Sequence, residues 1–214
     1  MEEVKDLIDG YKRFYKKSFE KKREFYDNLS KEGQSPKFLV ISCCDSRVHP
    51  AQIMDTNPGD IFVIRNVANL VPINEPDGKS HGTSAAMEFA VKHLNVKHII
   101  VLGHSQCGGI KTLMEGEHFS SEYSFVDPWM GIAENARLSV NKKHKDMSFE
   151  EKCSSCEKLS IKHSLNNLMT FPWIKEKCES GELKIHGWYF DIKTGALLGQ
   201  QSEEFIPVGE LIPK

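Results

Sequence analysis

The sequence lacks any apolar run approaching the ~20 residues that a membrane-crossing helix requires, so no membrane partner is expected. It also lacks a surplus of positive charge. The 28 Lys and Arg stand against 30 Asp and Glu, a formal net charge of -2, whereas a nucleic-acid partner demands a basic excess to neutralise phosphates. The first residues, Met1-Glu2-Glu3-Val4-Lys5-Asp6, have neither the basic start nor the apolar stretch of a signal peptide; a cytoplasmic location is the expectation. Internal repeats, low-complexity stretches and linkers are missing too, which makes one domain the expectation. What is present is an ordinary globule, 39% hydrophobic and 27% charged over 214 residues, long enough to bury a core without staples. Six cysteines in a reducing compartment read as metal ligands or free thiols before disulfides.

Residues 1 to about 31 read as one long amphipathic helix closed by Gly33, with Val4, Leu7, Ile8, Tyr11, Phe14 and Tyr15 at three- and four-residue steps. The basic run from Lys12 to Arg23 alternates with aromatics and reads as a solvated helix face. This arm, residues 1–33, is taken as part of the same domain and as a surface that packs on a second subunit. Residues 34–214 are taken as the main part of that domain. Four runs without polar alternation, Phe38–Ile41, Ile61–Ile64, Ile99–Leu102 and, more weakly, Leu183–Phe190, have the pattern of strands buried on both faces. Helical patterns cover Ser80–Leu94, begin again at Gly108, and run from about 127 to 180 with a break at Pro172. The alternation predicts an α/β fold, with a mainly parallel central sheet flanked by helices.

Two motifs sit just past the carboxyl ends of predicted strands: Cys43-Cys44-Asp45-Ser46-Arg47, and Gly103-His104-Ser105-Gln106-Cys107-Gly108-Gly109. In open α/β sheets this edge is where active sites form. Cys, His and Cys meeting there make a donor set that favours zinc, and three protein ligands leave a fourth position for water, the mark of a catalytic site. Cys43 and Cys44 are too close together to be the usual first pair of a structural zinc site. Cys44 is expected to point away from the cluster, because adjacent strand residues face opposite sides. Cys153-x-x-Cys156 in a predicted helix reads as a pair of free thiols.

Cys-x-Asp-Ser-Arg with a downstream His-x-x-Cys-Gly-Gly closely resembles the β-class carbonic anhydrase family. The likeness extends through Arg65-Asn66-Val67-Ala68-Asn69, Gly82-Thr83-Ser84-Ala85-Ala86 and Asn166-Asn167-Leu168, with Cys153-Ser154-Ser155-Cys156-Glu157-Lys158 resembling the plant-like branch. The resemblance implies reversible hydration of carbon dioxide to bicarbonate and a proton through a zinc-bound hydroxide. One Zn2+ per subunit is held by Cys43, His104 and Cys107. Asp45, held by Arg47, orients the water and is a conditional fourth ligand. Phe62, Val67 and Phe89 line an apolar pocket, the Gly108 N–H binds an oxygen of the product, and Gln34 reaches in from a neighbouring subunit. A homodimer or higher homo-oligomer is implied with it.

Two thiolates donate more charge to zinc than imidazoles do, so a higher pH optimum is expected than for a three-histidine site. Phe89 stands where many relatives carry tyrosine. Val40 stands where the branch with a regulatory bicarbonate pocket carries tryptophan, and Arg65 alone does not rebuild that pocket. An open site at neutral pH, with Asp45 on Arg47, is the expectation. Hydrolysis of carbon disulfide or carbonyl sulfide on the same fold, and a non-catalytic zinc-binding interaction protein, are the alternatives.

Overall fold

The structure, a computed structural model, describes residues 2–116 and 124–211. The chain divides into two compact units, Met1–Ser35 and Pro36–Lys214.

The first unit is helical but not one helix. Helix α1 (Glu2–Phe14) passes into a π-helical turn at Tyr15–Phe19 and a 3-10 turn at Glu20–Lys22, before α2 (Arg23–Glu32). Lys22, at φ -114° and ψ 28°, leaves the helical region. Aromatic packing accompanies the break. Phe14 and Tyr26 would be roughly 18 Å apart along a straight helix, yet their ring centroids lie 6.3 Å apart, edge to face, and Phe19 and Tyr26 lie at 4.9 Å. Gly33 ends α2 as expected, with a positive φ of 76° and its N–H donated to Leu29 O. Val4, Leu7, Ile8, Tyr11 and Phe14 are all exposed, Leu7 to 76%.

The second unit is built on a six-stranded sheet in the order β2-β1-β3-β4-β5-β6. The strands are β1 (Phe38–Cys43), β2 (Ile61–Asn66), β3 (His98–His104), β4 (Lys184–Phe190), β5 (Leu197–Gln201) and β6 (Glu204–Pro207). The first four pair in parallel, as their continuous apolar runs predict, and the last two are antiparallel additions. One face carries Leu39, Ile41, Ile99 and Val101 against Met87, Ala90, Val91, Ile161 and Leu168. The other carries Val40, Ile100 and Leu102 with Met54, Trp188 and Phe190.

The helices are α3 (Pro50–Ile53), α4 (Gly82–Glu88, continued by a π-helical turn to His93), α5 (Gly108–Glu115), α6 (Val126–Met130), α7 (Glu134–Lys143), α8 (Phe149–Leu168) and α9 (Pro172–Glu179). The segment expected to be helical from 127 to 180 is therefore broken three times, by a 3-10 turn at Gly131–Ala133, between α7 and α8, and before Pro172, and only the last break was expected. Between α7 and α8, Ser148 starts a new helix with a capping box. Its hydroxyl accepts from Glu151 N–H at 3.3 Å while its own N–H donates to the Glu151 carboxylate at 2.8 Å. Pro172 opens α9 at its first turn, where its missing N–H costs nothing.

Helix α8 seats the sheet. A Cβ on Gly103 of β3 would lie 2.6 Å from Ile161 Cδ1, and one on Gly187 of β4 would lie 2.9 Å from Ile161 Cγ2. The two glycines let this helix approach more closely than any side chain permits.

Candidate metal centre

The chain runs from β1 outward to β2, then returns past β1 to β3, so the strand order reverses between β1 and β3. At such a switch point the carboxyl ends of neighbouring strands leave a crevice. The ladder pairs Ser42 with Leu102, and the next residues bring Cys43 and His104 out side by side. A short loop then carries Cys107 back to the same point as α5 begins. The donor atoms of Cys43, His104 and Cys107 all lie within 4.8 Å of one another, with relative exposures of 6%, 1% and 2%.

The trio fits a zinc ion on its own chemistry. His104 Nδ1 lies 2.9 Å from Ser105 O. A carbonyl only accepts, so Nδ1 carries the proton and Nε2 presents its lone pair. Nε2 is buried and has no hydrogen-bond partner, a costly arrangement unless an ion satisfies it. Between the two thiols, the hydrogen bond to Cys107 lowers Cys43, while the same bond and burial push Cys107 upward. A bound cation would favour the thiolate form of both. Cys44 is exposed and stands outside the cluster, as its alternation predicts.

Asp45 and Arg47 meet in a fork. Arg47 Nε donates to Oδ1 at 2.9 Å and Nη2 to Oδ2 at 2.7 Å, while the Arg47 backbone N–H also donates to Oδ1. These bonds hold the Asp45 carboxyl well below the usual carboxylate range. Asp45 Oδ2 lies 4.0 Å from His104 Nε2. Arg47 Nη2 donates as well to Gln106 O at 3.0 Å, tying the two motif loops together. Arg65 does similar work from β2, donating to the carbonyls of Cys43, Asp45 and Val48.

Other motif residues prove to be scaffolding. Asn66 brackets Leu70, accepting from its N–H and donating to its carbonyl, around Ala68 and Asn69 at φ 61° and 49°. Asn167 donates to Val71 O and the Ser164 hydroxyl accepts from Val71 N–H. Cys153 and Cys156 are free, their thiols pushed by burial to about 11 and about 12.

The expected pocket residues are only partly gathered. Val67 reaches α5, its Cγ1 lying 3.0 Å from where a Cβ of Gly109 would be, and Gly108 opens that helix with nothing within 4 Å of a Cβ position. Phe62 is elsewhere. It pairs with Leu39, four residues before Cys43, or roughly 13 Å down the sheet. Phe89 packs with it, their ring centroids 6.0 Å apart. Gln34 is exposed and belongs to the first unit.

Glu157 went unnoticed in the sequence. It is buried on α8, accepting from Cys107 N–H at 2.9 Å and from the Tyr189 hydroxyl at 2.8 Å. Burial pushes its carboxyl upward against those hydrogen bonds. Its position within the Cys-x-x-Cys-Glu-Lys segment was the available signal.

Comparison with known proteins bears on all of this. Residues 38–197 match the carbonic anhydrase family profile. Among curated proteins of Arabidopsis thaliana, the chain is 43% identical to "Beta carbonic anhydrase 5, chloroplastic" over 87% of its length, and 45% identical to "Beta carbonic anhydrase 6, mitochondrial" over 77%. It spans 61% and 57% of those two relatives' own lengths. Among solved structures, the β-carbonic anhydrase CcaA superposes with a TM-score of 0.90 at 32% identity, covering 97% of this chain and 92% of that one. One of the two tetrameric β-carbonic anhydrases of Sordaria macrospora gives 0.81 at 28% identity, covering 93% and 97%. The cytoplasmic expectation is corrected here. These plant relatives are chloroplastic and mitochondrial proteins, and the composition of residues 1–6 is no ground for the cytoplasm. Among the described residues no helix is long and apolar enough to cross a membrane.

Proposed function

The chain belongs to the β-class carbonic anhydrase family, and from that premise we propose that it catalyses the reversible hydration of carbon dioxide to bicarbonate and a proton, with one zinc ion per subunit held by Cys43, His104 and Cys107. The observation carrying this reading is the buried trio of donors within 4.8 Å, including an imidazole nitrogen that has no hydrogen-bond partner. When bound, zinc supplies the Lewis acidity that lowers the pKa of water to about 7 in the three-histidine carbonic anhydrases, the reference case for that figure.

The chain's own residues supply the rest. Asp45, kept ionised by the Arg47 fork, accepts a hydrogen bond from the reacting water and fixes its orientation. Arg47 keeps that carboxylate off the ion by occupying both its oxygens. Val67 forms an apolar wall beside α5, where a small apolar substrate sits without desolvating a polar group. The N–H of Gly108, an exposed residue at the start of α5, donates to an oxygen of the forming bicarbonate. Phe62 and Phe89 are assigned to a face offered to a second copy of the chain, and Gln34 to the pocket of that second copy, so that each pocket is completed across an interface. The exposed apolar row on α1 and the tetrameric assembly of the Sordaria macrospora proteins support a homo-oligomer.

Stopped-flow carbon dioxide hydration on zinc-quantified protein tests this. Hydration is expected in proportion to zinc, with Asp45→Asn keeping its metal while losing about 10–100-fold in kcat. Zinc-loaded protein inactive on carbon dioxide but active on carbonyl sulfide would overturn the substrate assignment.

A further inference from the structure

Cys107 is delivered by a short loop that is anchored at Ser105 but carries one strained residue. Gln106 sits at φ 58°, in the left-handed region that non-glycine side chains seldom adopt. Two groups clamp the loop from opposite sides. On the open side, Arg47 Nη2 takes the Gln106 carbonyl. On the buried side, one oxygen of Glu157 accepts from Cys107 N–H at 2.9 Å.

A carboxylate costs several kcal/mol to bury without partners, and Glu157 is 4% exposed. Its second oxygen is satisfied by the Tyr189 hydroxyl from β4, and the packing of Ile161, one turn further along α8, fixes the height of the helix against β3 and β4. The cleft behind the loop, about 490 Å³ and lined by Gln106, Cys107, Lys111, Cys153, Glu157 and Tyr189, leaves little other side-chain mass to hold it in place.

We propose that Glu157, braced by Tyr189, is a positioning residue for the metal centre: its carboxylate holds the Gln106–Cys107 backbone in the strained conformation that aims the Cys107 sulfur at the ion. This deepens the function proposed above and rests on the assignment of Cys43, His104 and Cys107 as zinc ligands. Glu157 bonds to the Cys107 backbone and to Tyr189 and is not one of the proposed ligands. Its effect passes through one peptide N–H to one ligand, so the quantities it governs are metal affinity and the environment of the thiolate.

The test uses the full chain with Glu157→Gln and Tyr189→Phe. Zinc affinity is read by chelator competition, and the cobalt-substituted proteins are compared by their thiolate-to-cobalt absorption bands. Glu157→Gln is expected to bind zinc about 10–100-fold more weakly and to shift the thiolate band. Tyr189→Phe, which removes one partner of the carboxylate and leaves the clamp on Cys107, is expected to move both readouts the same way by less. Folded Glu157→Gln with unchanged zinc affinity and a superimposable cobalt spectrum would overturn the proposal, even if the variant melted earlier. Should Glu157→Gln fail to fold, Tyr189→Phe decides on the same criteria. A parent protein whose cobalt form shows no thiolate band removes the ligand assignment itself, an outcome separate from a normal parent with unaltered variants.

Discussion

At the scale of single residues, chemistry here is set by what each polar atom has been given to hold. Ser105 O accepts a hydrogen bond from His104 Nδ1–H and so turns Nε2 towards Cys43 and Cys107. Ser105 Oγ is anchored in turn to Asp191 and to Ile192 N–H at the end of β4. The same reasoning applies at the far end of the sheet. His98 Nδ1 and His186 Nε2 lie 3.0 Å apart, with Phe38 stacked on His98 and Lys184 close by. Two neutral rings share one hydrogen there, and a second proton has no acceptor. Burial, reinforced by Lys184 and for His186 by its partner ring, lowers both pKa values. The unfolded chain therefore takes up protons first, near pH 6.5. The pair's contribution to stability is complete above that value and falls as pH drops through it. In urea titrations between pH 7.5 and 5.5, the parent should lose stability steadily with acid. The double variant His98→Phe with His186→Gln should show a flatter slope. Parallel slopes would contradict this account of the pair.

At the scale of elements, close approach is what holds the centre in register. Gly103 precedes His104, and α8 rests on it through Ile161. Gly103→Ala should cost about 1–3 kcal/mol of unfolding free energy through overpacking, and should disturb zinc binding through the displaced His104. Shortening the opposing side chain with Ile161→Val should recover part of the loss, a non-additive pair in a double-mutant cycle. Additive costs would show that the contact is not the cause.

The elements also show what a sequence discloses. Strands β1 to β4 were legible because they are buried on both faces and carry unbroken apolar runs. Strands β5 and β6 were not, since Gln200, Gln201 and Glu204 give an edge pair the look of a loop. The capping box at Ser148–Glu151 was written in plain residue types but lay inside a long helical pattern that hid it. Among the site residues, Cys43, Asp45, Arg47, His104 and Cys107 were legible because they cluster in short motifs at strand ends. Glu157 was not, because a glutamate in a helix next to a lysine reads as a solvated position until its neighbours in space are known. Phe62 was read as a pocket wall from its matching position in the family, and the register sets it level with Leu39, four residues before Cys43 within one copy of the chain.

At the scale of the whole molecule, an arm with an exposed apolar row is a liability unless another surface covers it. Val4, Leu7, Ile8, Tyr11 and Phe14 form that row on α1. Leu7→Lys combined with Tyr11→Lys should shift the protein to a smaller species in sedimentation velocity and cut hydration activity with it, since the proposed pocket is completed by a second copy. An unchanged sedimentation coefficient would place the subunit contact elsewhere.

All of these scales bear on one proposed arrangement, in which two sulfurs and one imidazole would hold zinc and leave a position for solvent. X-ray absorption at the zinc edge on the active protein reads it directly. The account predicts two sulfur neighbours at about 2.3 Å, one nitrogen at about 2.0–2.1 Å and one further light atom, and a sulfur count that falls by one in Cys107→Ser. A shell closed by four protein donors, or one with no sulfur, would contradict it.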